Sequence, residues 1–228
     1  MKRYAQKRFY EWSPAIAYSV GLMASDGCLS KDRRHVDLTS VDIEQLENFA
    51  KAIGRAPSIS KKTGRVDGQA QQAYRIQFSD TAYYDFLVQL GLTPNKSRGI
   101  GPLDIPDEYY SHFLRGIFDG DGSTYGYYDK RWRSSFMFYV QFTSASKIFL
   151  EYLLQSNRRL LNVQGGSIHG LGSSGAFNLS FGKVDSVILY NAMYKDSDGL
   201  LLIRKRRKLE GFISLHGNGI ITSNARVL

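Results

Sequence analysis

The sequence predicts an α+β fold in which one αββαββα unit is used twice, so that the two halves are related by a pseudo-two-fold. Three observations carry the prediction. An apolar stretch with small residues four apart, ending in Asp-Gly, occurs at Ser19 to Gly27 and again at Phe113 to Gly122. Each copy is followed by the same order of strand and helix patterns. The strand candidates alternate apolar with polar residues, so each antiparallel sheet has one face for helices to cover and one left to solvent.

Taken in order, Ser13-Pro14 opens the first helix, with Ser as N-cap and Pro at the first helical position. The helix spans residues 13–26, and Gly27 is expected to stop it by turning left-handed. Strands follow at 28–30 and 35–39, joined by the charged turn Lys31-Asp32-Arg33-Arg34. Ile43, Leu46, Phe49 and Ile53 then recur at helical spacing, and Gly54 ends that helix. The next strands lie at 58–62 and 73–78. The second of them sets Tyr74, Ile76 and Phe78 against Arg75 and Gln77. Residues 63–72 are polar, contain Gly64 and Gly68, and read as a mobile hairpin tip. A helix at 80–92 is capped by Asp80 and ended by Gly91. Pro94, Gly99, Gly101, Pro102 and Pro106 then break regular structure over residues 93–106, the expected joint between halves.

The second half repeats this order. A helix at 107–121 leads to strands at 124–128 and 136–142, the latter burying Phe136, Phe138, Val140 and Phe142. Thr143-Ser144 leads into a helix as Thr39-Ser40 did. Strands at 166–169 and 176–181 precede helices at 185–194 and 200–215. The last helix carries the run Arg204-Lys205-Arg206-Arg207-Lys208. The organisation read from this is a first half over residues 1–98, a linker at 99–106, a second half over 107–215, and a tail at 216–228 that gives no clear signal.

Composition narrows the function classes. The chain has 228 residues, 43% of them hydrophobic, enough for a substantial core. Lys and Arg outnumber Asp and Glu by 30 to 21, for a net charge of +9 and a pI near 9.5. That balance favours a polyanionic partner. The single cysteine, Cys28, excludes a disulfide framework and a cysteine zinc cluster, and is expected as a buried strand residue. The histidines His35, His112, His169 and His216 show no ligand spacing and read as surface or sheet residues. No run of about eighteen apolar residues suggests a membrane span. The start of the chain is basic without a hydrophobic signal core. A soluble, intracellular protein is the expectation.

The repeated stretch carries the chemistry. Gly21 and Ser25 share one helix face, as do Gly116 and Gly120, because positions i and i+4 stand one above the other. Two such helices can cross with their backbones unusually close, which brings Asp26 and Asp121 together at the end of the crossing. Both would sit at the negative end of a helix dipole. Two carboxylates there repel unless a cation intervenes. A divalent ion with oxygen ligands resolves the conflict, and Mg²⁺ suits carboxylates plus phosphate oxygens.

The stretch Leu114-Arg115-Gly116-Ile117-Phe118-Asp119-Gly120-Asp121-Gly122 resembles the motif of the LAGLIDADG homing endonucleases, and the two copies together resemble the single-chain, two-motif members. The likeness runs over about residues 12–210. The first copy departs at the sixth position, where Ala24 stands against Asp119. Asp26 and Asp121 occupy the eighth position, which in the family supplies the metal-binding catalytic carboxylate; the adjoining Gly27 and Gly122 belong to the same metal site. The resemblance implies two saddle-shaped sheets with helices on one face and a central two-helix interface. It implies a monomer that hydrolyses both strands of a long, asymmetric DNA site and leaves 3′ overhangs. Mg²⁺ is the implied cofactor, with Ca²⁺ or Mn²⁺ as substitutes. By position, Lys96 and Lys205 match the family's catalytic lysines, with neighbouring Arg98 or Lys208 as alternatives, and Ser40 and Ser144 match its auxiliary polar residues.

On the polar sheet faces the candidate DNA contacts are Arg75, Gln77, Tyr139, Gln141, Asn178 and Ser180, with Arg33, Lys61, Lys130 and Arg133 beside them. Arg and Lys pair with guanine edges, Asn and Gln with adenine, in the major groove; a merely solvated face would also be polar. The run from Arg204 to Lys208 fits phosphate contacts, which set affinity rather than sequence choice. It also fits a nuclear targeting signal. Two other readings share the scaffold: a maturase that binds intron RNA, and a catalytically silent DNA-binding regulator. Retention of both acids speaks against the regulator.

Overall fold

A computed structural model describes residues 9–66, 69–132 and 135–216. Of the sequence expectations, Arg133 and the tail beyond residue 216 lie outside the described residues.

The first helix, α1 (Pro14–Ser25), begins as the sequence predicts: Ser13 Oγ accepts the Ile16 N–H at 3.2 Å, and Pro14 opens the first turn. Then come β1 (Gly27–Leu29), β2 (His35–Ser40), α2 (Ile43–Ala52), β3 (Ile59–Val66), β4 (Gln69–Ser79), α3 (Thr81–Gln89) and a single turn, α4 (Lys96–Gly99). The second part runs α5 (Tyr110–Asp121), β5 (Gly122–Tyr128), β6 (Phe136–Ser144), α6 (Lys147–Leu161), β7 (Ser167–Gly170), β8 (Phe177–Phe181), α7 (Lys183–Tyr194) and α8 (Ile203–His216). The strands form two four-stranded antiparallel sheets of matching order, β1-β2-β4-β3 and β5-β6-β8-β7. In both halves a further helix follows the αββαββα unit, the single turn α4 in the first and α8 in the second.

Each sheet buries one face. Val36, Leu38 and Ile76 line the core side of the first; Phe138, Val140, Phe142, Leu179 and Phe181 line that of the second. The core is continuous across both halves because α1 and α5 pack against each other at its centre. Among the described residues no helix is long and apolar enough to cross a membrane.

Several expectations change. Gly27 is not left-handed; Asp26 closes the helix in right-handed geometry and Gly27 starts β1. Glycine is needed there for room, since a Cβ would stand 2.6 Å from the Met23 Cα, and Gly122 stands likewise against the Phe118 Cα at 2.6 Å. Of the expected hairpin tip at 63–72, residues 63–66 and 69–72 are paired, the β3–β4 ladder running from Thr63↔Gln72 to Val66↔Gln69, while residues 67 and 68 lie outside the described residues. Residues 93–106 contain α4 and are pinned rather than slack, because Ile100, Leu103 and Ile105 are buried and Ile100 O accepts from Ser146 Oγ at 2.6 Å. Cys28 is exposed, since Gly27 and Leu29 take the inward positions of a short strand. His112 is buried, on the central helix α5.

Candidate catalytic site and nucleic-acid face

The site is built on the crossing of α1 and α5. A Cβ on Gly21 would lie 2.8 Å from the Gly116 Cα, and one on Gly120 would lie 2.6 Å from the Ser25 Cβ. Only small residues at these four positions let the backbones touch. The C-terminal ends of both helices therefore abut, and the Gly120 Cβ position is 3.1 Å from Asp26 Oδ2.

Asp26 is half-buried, and its carboxylate accepts from Gln45 Nε2 at 2.8 Å. Burial raises its pKa, against the Gln45 bond and the positive charges of Lys205 and Lys96. Asp121 keeps contact with solvent. The protein packed around it, and then the charge of Asp26, push it up to about 6. The charge of Asp26 thus disfavours ionisation of Asp121, as a like charge close by does.

A lysine stands behind each acid. Lys96, only 7% exposed, donates to Ser25 O at 2.8 Å. Lys205 donates to Phe118 O at 2.8 Å and Gly120 O at 2.6 Å. Lys96 answers a carbonyl at the end of α1 and Lys205 two at the end of α5, where the dipole favours a cation. Burial lowers both, Lys205 to about 8.

Ser40 and Ser144 make the same local turn, accepting the N–H of Asp42 at 3.0 Å and of Ser146 at 3.1 Å. Ser40 also donates to Gln45 Oε1 at 2.7 Å, so it reaches Asp26 through Gln45. At the matching place in the second half stands Phe149, which is buried. The two acids therefore have unlike surroundings. Sequence reasoning missed Gln45, although its position four residues before Phe49 puts a polar group on the apolar stripe of α2.

It also missed a buried network on α5. Arg115, 1% exposed, donates to Leu200 O at 2.7 Å, Met193 O at 2.8 Å and Ser197 O at 3.3 Å. Asp119 accepts from Tyr18 Oη and from the Leu202 N–H, each at 2.8 Å, and burial pushes it up to about 6. Together they fasten the segment entering α8 and so fix where Lys205 begins. The signal was an Arg–Asp pair spaced i, i+4 inside an otherwise apolar helix.

On the first sheet's polar face stand Asp37, Thr39, Arg75 and Gln77. Arg75 is paired with Asp37, and Gln77 is exposed. Lys61 lies opposite Tyr74 and shares the side of Ile59, because strand alternation sends every second residue back toward the helices. Lys62 takes the polar side instead, 3.3 Å from Thr39 Oγ1. Arg33 is exposed in the β1–β2 turn, and Lys130 in the β5–β6 turn. On the second sheet Gln141 donates to Ser180 Oγ and Thr143 to Asn178 Oδ1, each at 2.7 Å, while Tyr139 joins a stack with Tyr125 and Tyr127. The basic run of α8 is not one free strip. Arg204 pairs with Asp42, Arg206 with Glu210, and Lys205 turns inward. Arg207 and Lys208 are exposed and make no ion pair among the described residues.

For metal chemistry the donor set is two carboxylates, with no cluster of three or more His, Cys, Asp or Glu among the described residues. That fits Mg²⁺, which binds through one or two carboxylates and draws its other ligands from water and phosphate, and does not fit a closed zinc site.

No family model matches the sequence, and no curated protein does. Solved structures do match. The homing endonuclease I-WcaI bound to its DNA recognition sequence is 14% identical, with a TM-score of 0.63 over 92% of this chain and 94% of that one. The LAGLIDADG meganuclease I-AabMI bound to uncleaved DNA is 16% identical, with a TM-score of 0.58 over 93% and 92%. Full-length WhiA from Thermatoga maritima is 15% identical, with a TM-score of 0.55 over 95% of this chain and 71% of that one. The chain has the LAGLIDADG fold.

Proposed function

We propose that this chain, a two-motif protein of the LAGLIDADG fold, is a site-specific DNA endonuclease that hydrolyses phosphodiester bonds with a divalent metal. One observation carries the reading: Asp26 and Asp121 stand side by side where α1 and α5 end, between two sheets whose polar faces are open. The similar structures bound to DNA suggest the duplex as substrate, and the net charge of +9 suits it.

Asp26 and Asp121 would hold Mg²⁺, or Mn²⁺ or Ca²⁺ in its place, with the backbone at Gly27 and Gly122 beside them. When bound, such an ion supplies Lewis-acid activation of water and charge stabilisation at the leaving oxygen. The chain's own groups do the rest. Gln45 fixes the Asp26 carboxylate, and Lys96 and Lys205 place positive charge behind each acid, where it offsets the charge of an entering phosphate. The polar sheet faces set the register, with Arg75, Gln77, Tyr139, Gln141, Asn178 and Ser180 toward the bases; Arg33, Lys130, Arg207 and Lys208 reach the phosphates. One chain carries both acids, so a monomer suffices for both strands.

The test is incubation with a randomised plasmid library and Mg²⁺, followed by sequencing of the ends. Discrete staggered cuts that vanish in Asp121→Asn support the reading. Duplex binding without cuts overturns it in favour of a silent DNA-binding protein.

A further inference from the structure

The polar faces of the two sheets differ in kind. The first carries charge, in Asp37, Arg75 and Lys62. Strands β5 to β8 contain no Asp, Glu, Lys or Arg at all. In their place stands an aromatic row. Tyr125 pairs directly across from Tyr139, with ring centroids 4.9 Å apart and planes within 8°. Tyr127 adds a third near-parallel ring, 6.1 Å from Tyr139 and 11° from its plane.

The orientation of these rings decides what they can read. Aromatics that bind unpaired bases offer a flat face for stacking. Here the three near-parallel rings pack side by side against one another, and Tyr125 and Tyr127, 40% and 46% exposed, remain open to a ligand on the sheet face. The Tyr127 and Tyr139 hydroxyls lie 3.5 Å apart. Their contact raises Tyr139 to about 12. Gln141, two residues along the same face, is steadied by Ser180 Oγ at 2.7 Å. Apolar edges suit the thymine methyl, hydroxyls suit O4 and N7, and a Gln amide suits adenine; guanine calls for the Arg or Lys that this face lacks.

We infer that the Tyr125–Tyr139–Tyr127 row reads an A·T-rich stretch of duplex DNA in one half of the target, whereas the charged first sheet reads the other half. The inference rests on the endonuclease reading, and it specifies the chemistry of one half-site. Lys130, exposed in the turn between β5 and β6, supplies a charge for the flanking phosphates.

The preferred duplex is first selected from a randomised pool with divalent metal omitted, so that binding is read without cutting. Thymines are then replaced singly by deoxyuridine, which removes only the methyl. The expected result is about fourfold weaker binding per methyl, the worth of one buried methyl group, confined to one half-site and erased in Tyr125→Ala or Tyr139→Ala. Equal binding of thymine and deoxyuridine throughout, or a G·C-rich sequence in both halves, overturns the inference while leaving duplex recognition intact. A Tyr139→Ala effect larger on single-stranded RNA or DNA than on duplex overturns it in favour of base stacking. Failure to enrich any duplex removes the endonuclease reading along with it.

Discussion

Gly21 and Gly116 face each other across the helix crossing, each backbone filling the space where the other's Cβ would be: the added atom would stand 2.8 Å from the Gly116 Cα in one case and 2.9 Å from the Gly21 Cα in the other. Neither residue has a positive φ, so contact alone forbids a side chain. Gly21→Ala and Gly116→Ala should each cost about 1–3 kcal/mol or more, since the neighbour is backbone and cannot rotate away. Gly101→Ala, with nothing within 4 Å of the new methyl, should be neutral or slightly stabilising. Urea midpoints compare the three, and a Gly116→Ala protein as stable as Gly101→Ala would refute the close crossing.

That crossing was legible because it rests on residue size at fixed spacing, and so were the period-2 strands. What escaped depends on distances along the chain that spacing does not encode. Gln45 reaches Asp26 from another helix, and Arg115 binds carbonyls far ahead in sequence. Cys28 and Lys61 were placed on the wrong sides because one-residue register decides the face. The joint at 93–106 was read from its Gly and Pro punctuation, which does not reveal that Ile100, Leu103 and Ile105 pack into the core.

The unlike surroundings of the two acids should separate the two cuts. Asp26 is held by Gln45, whereas the matching position of the second half holds Phe149, which has no group to donate to Asp121. Gln45→Ala should slow cleavage of one strand by roughly 10- to 100-fold, the usual cost of removing a partner of a metal-binding carboxylate. Nicked circles would then accumulate from supercoiled target plasmid. Equal slowing of both strands would show that Gln45 does not serve a single site.

Arg115 should matter for stability more than any exposed arginine. Arg115→Met would take the Arg115 donors from the Leu200 and Met193 carbonyls, while Ser197 O would keep its bond from the Leu200 N–H. Unanswered buried acceptors make a loss of about 3 kcal/mol or more the expectation. Arg115→Lys should restore only part of it, because an ammonium cannot reproduce the planar fork. Hydrogen exchange should rise first at residues 195–202. Unchanged protection there would mean the segment is anchored by other contacts.

Lys205 sets the pH limit of the proposed reaction. Burial holds it at about 8 instead of the 10.5 of a free lysine, so the folded protein loses this proton before the unfolded chain does. Below about 8 the ammonium is present and offsets the charge of the two acids and a phosphate; as pH rises through 8 that charge disappears. Cleavage should therefore fall on the alkaline side, while this group's contribution to stability rises between 8 and 10.5, where the unfolded chain binds the extra proton. Lys205→Arg keeps its charge at any such pH and should abolish the alkaline fall, whatever its absolute rate. Single-turnover rates against pH for both proteins provide the check, and an alkaline limb that survives in Lys205→Arg would assign the titration to another group.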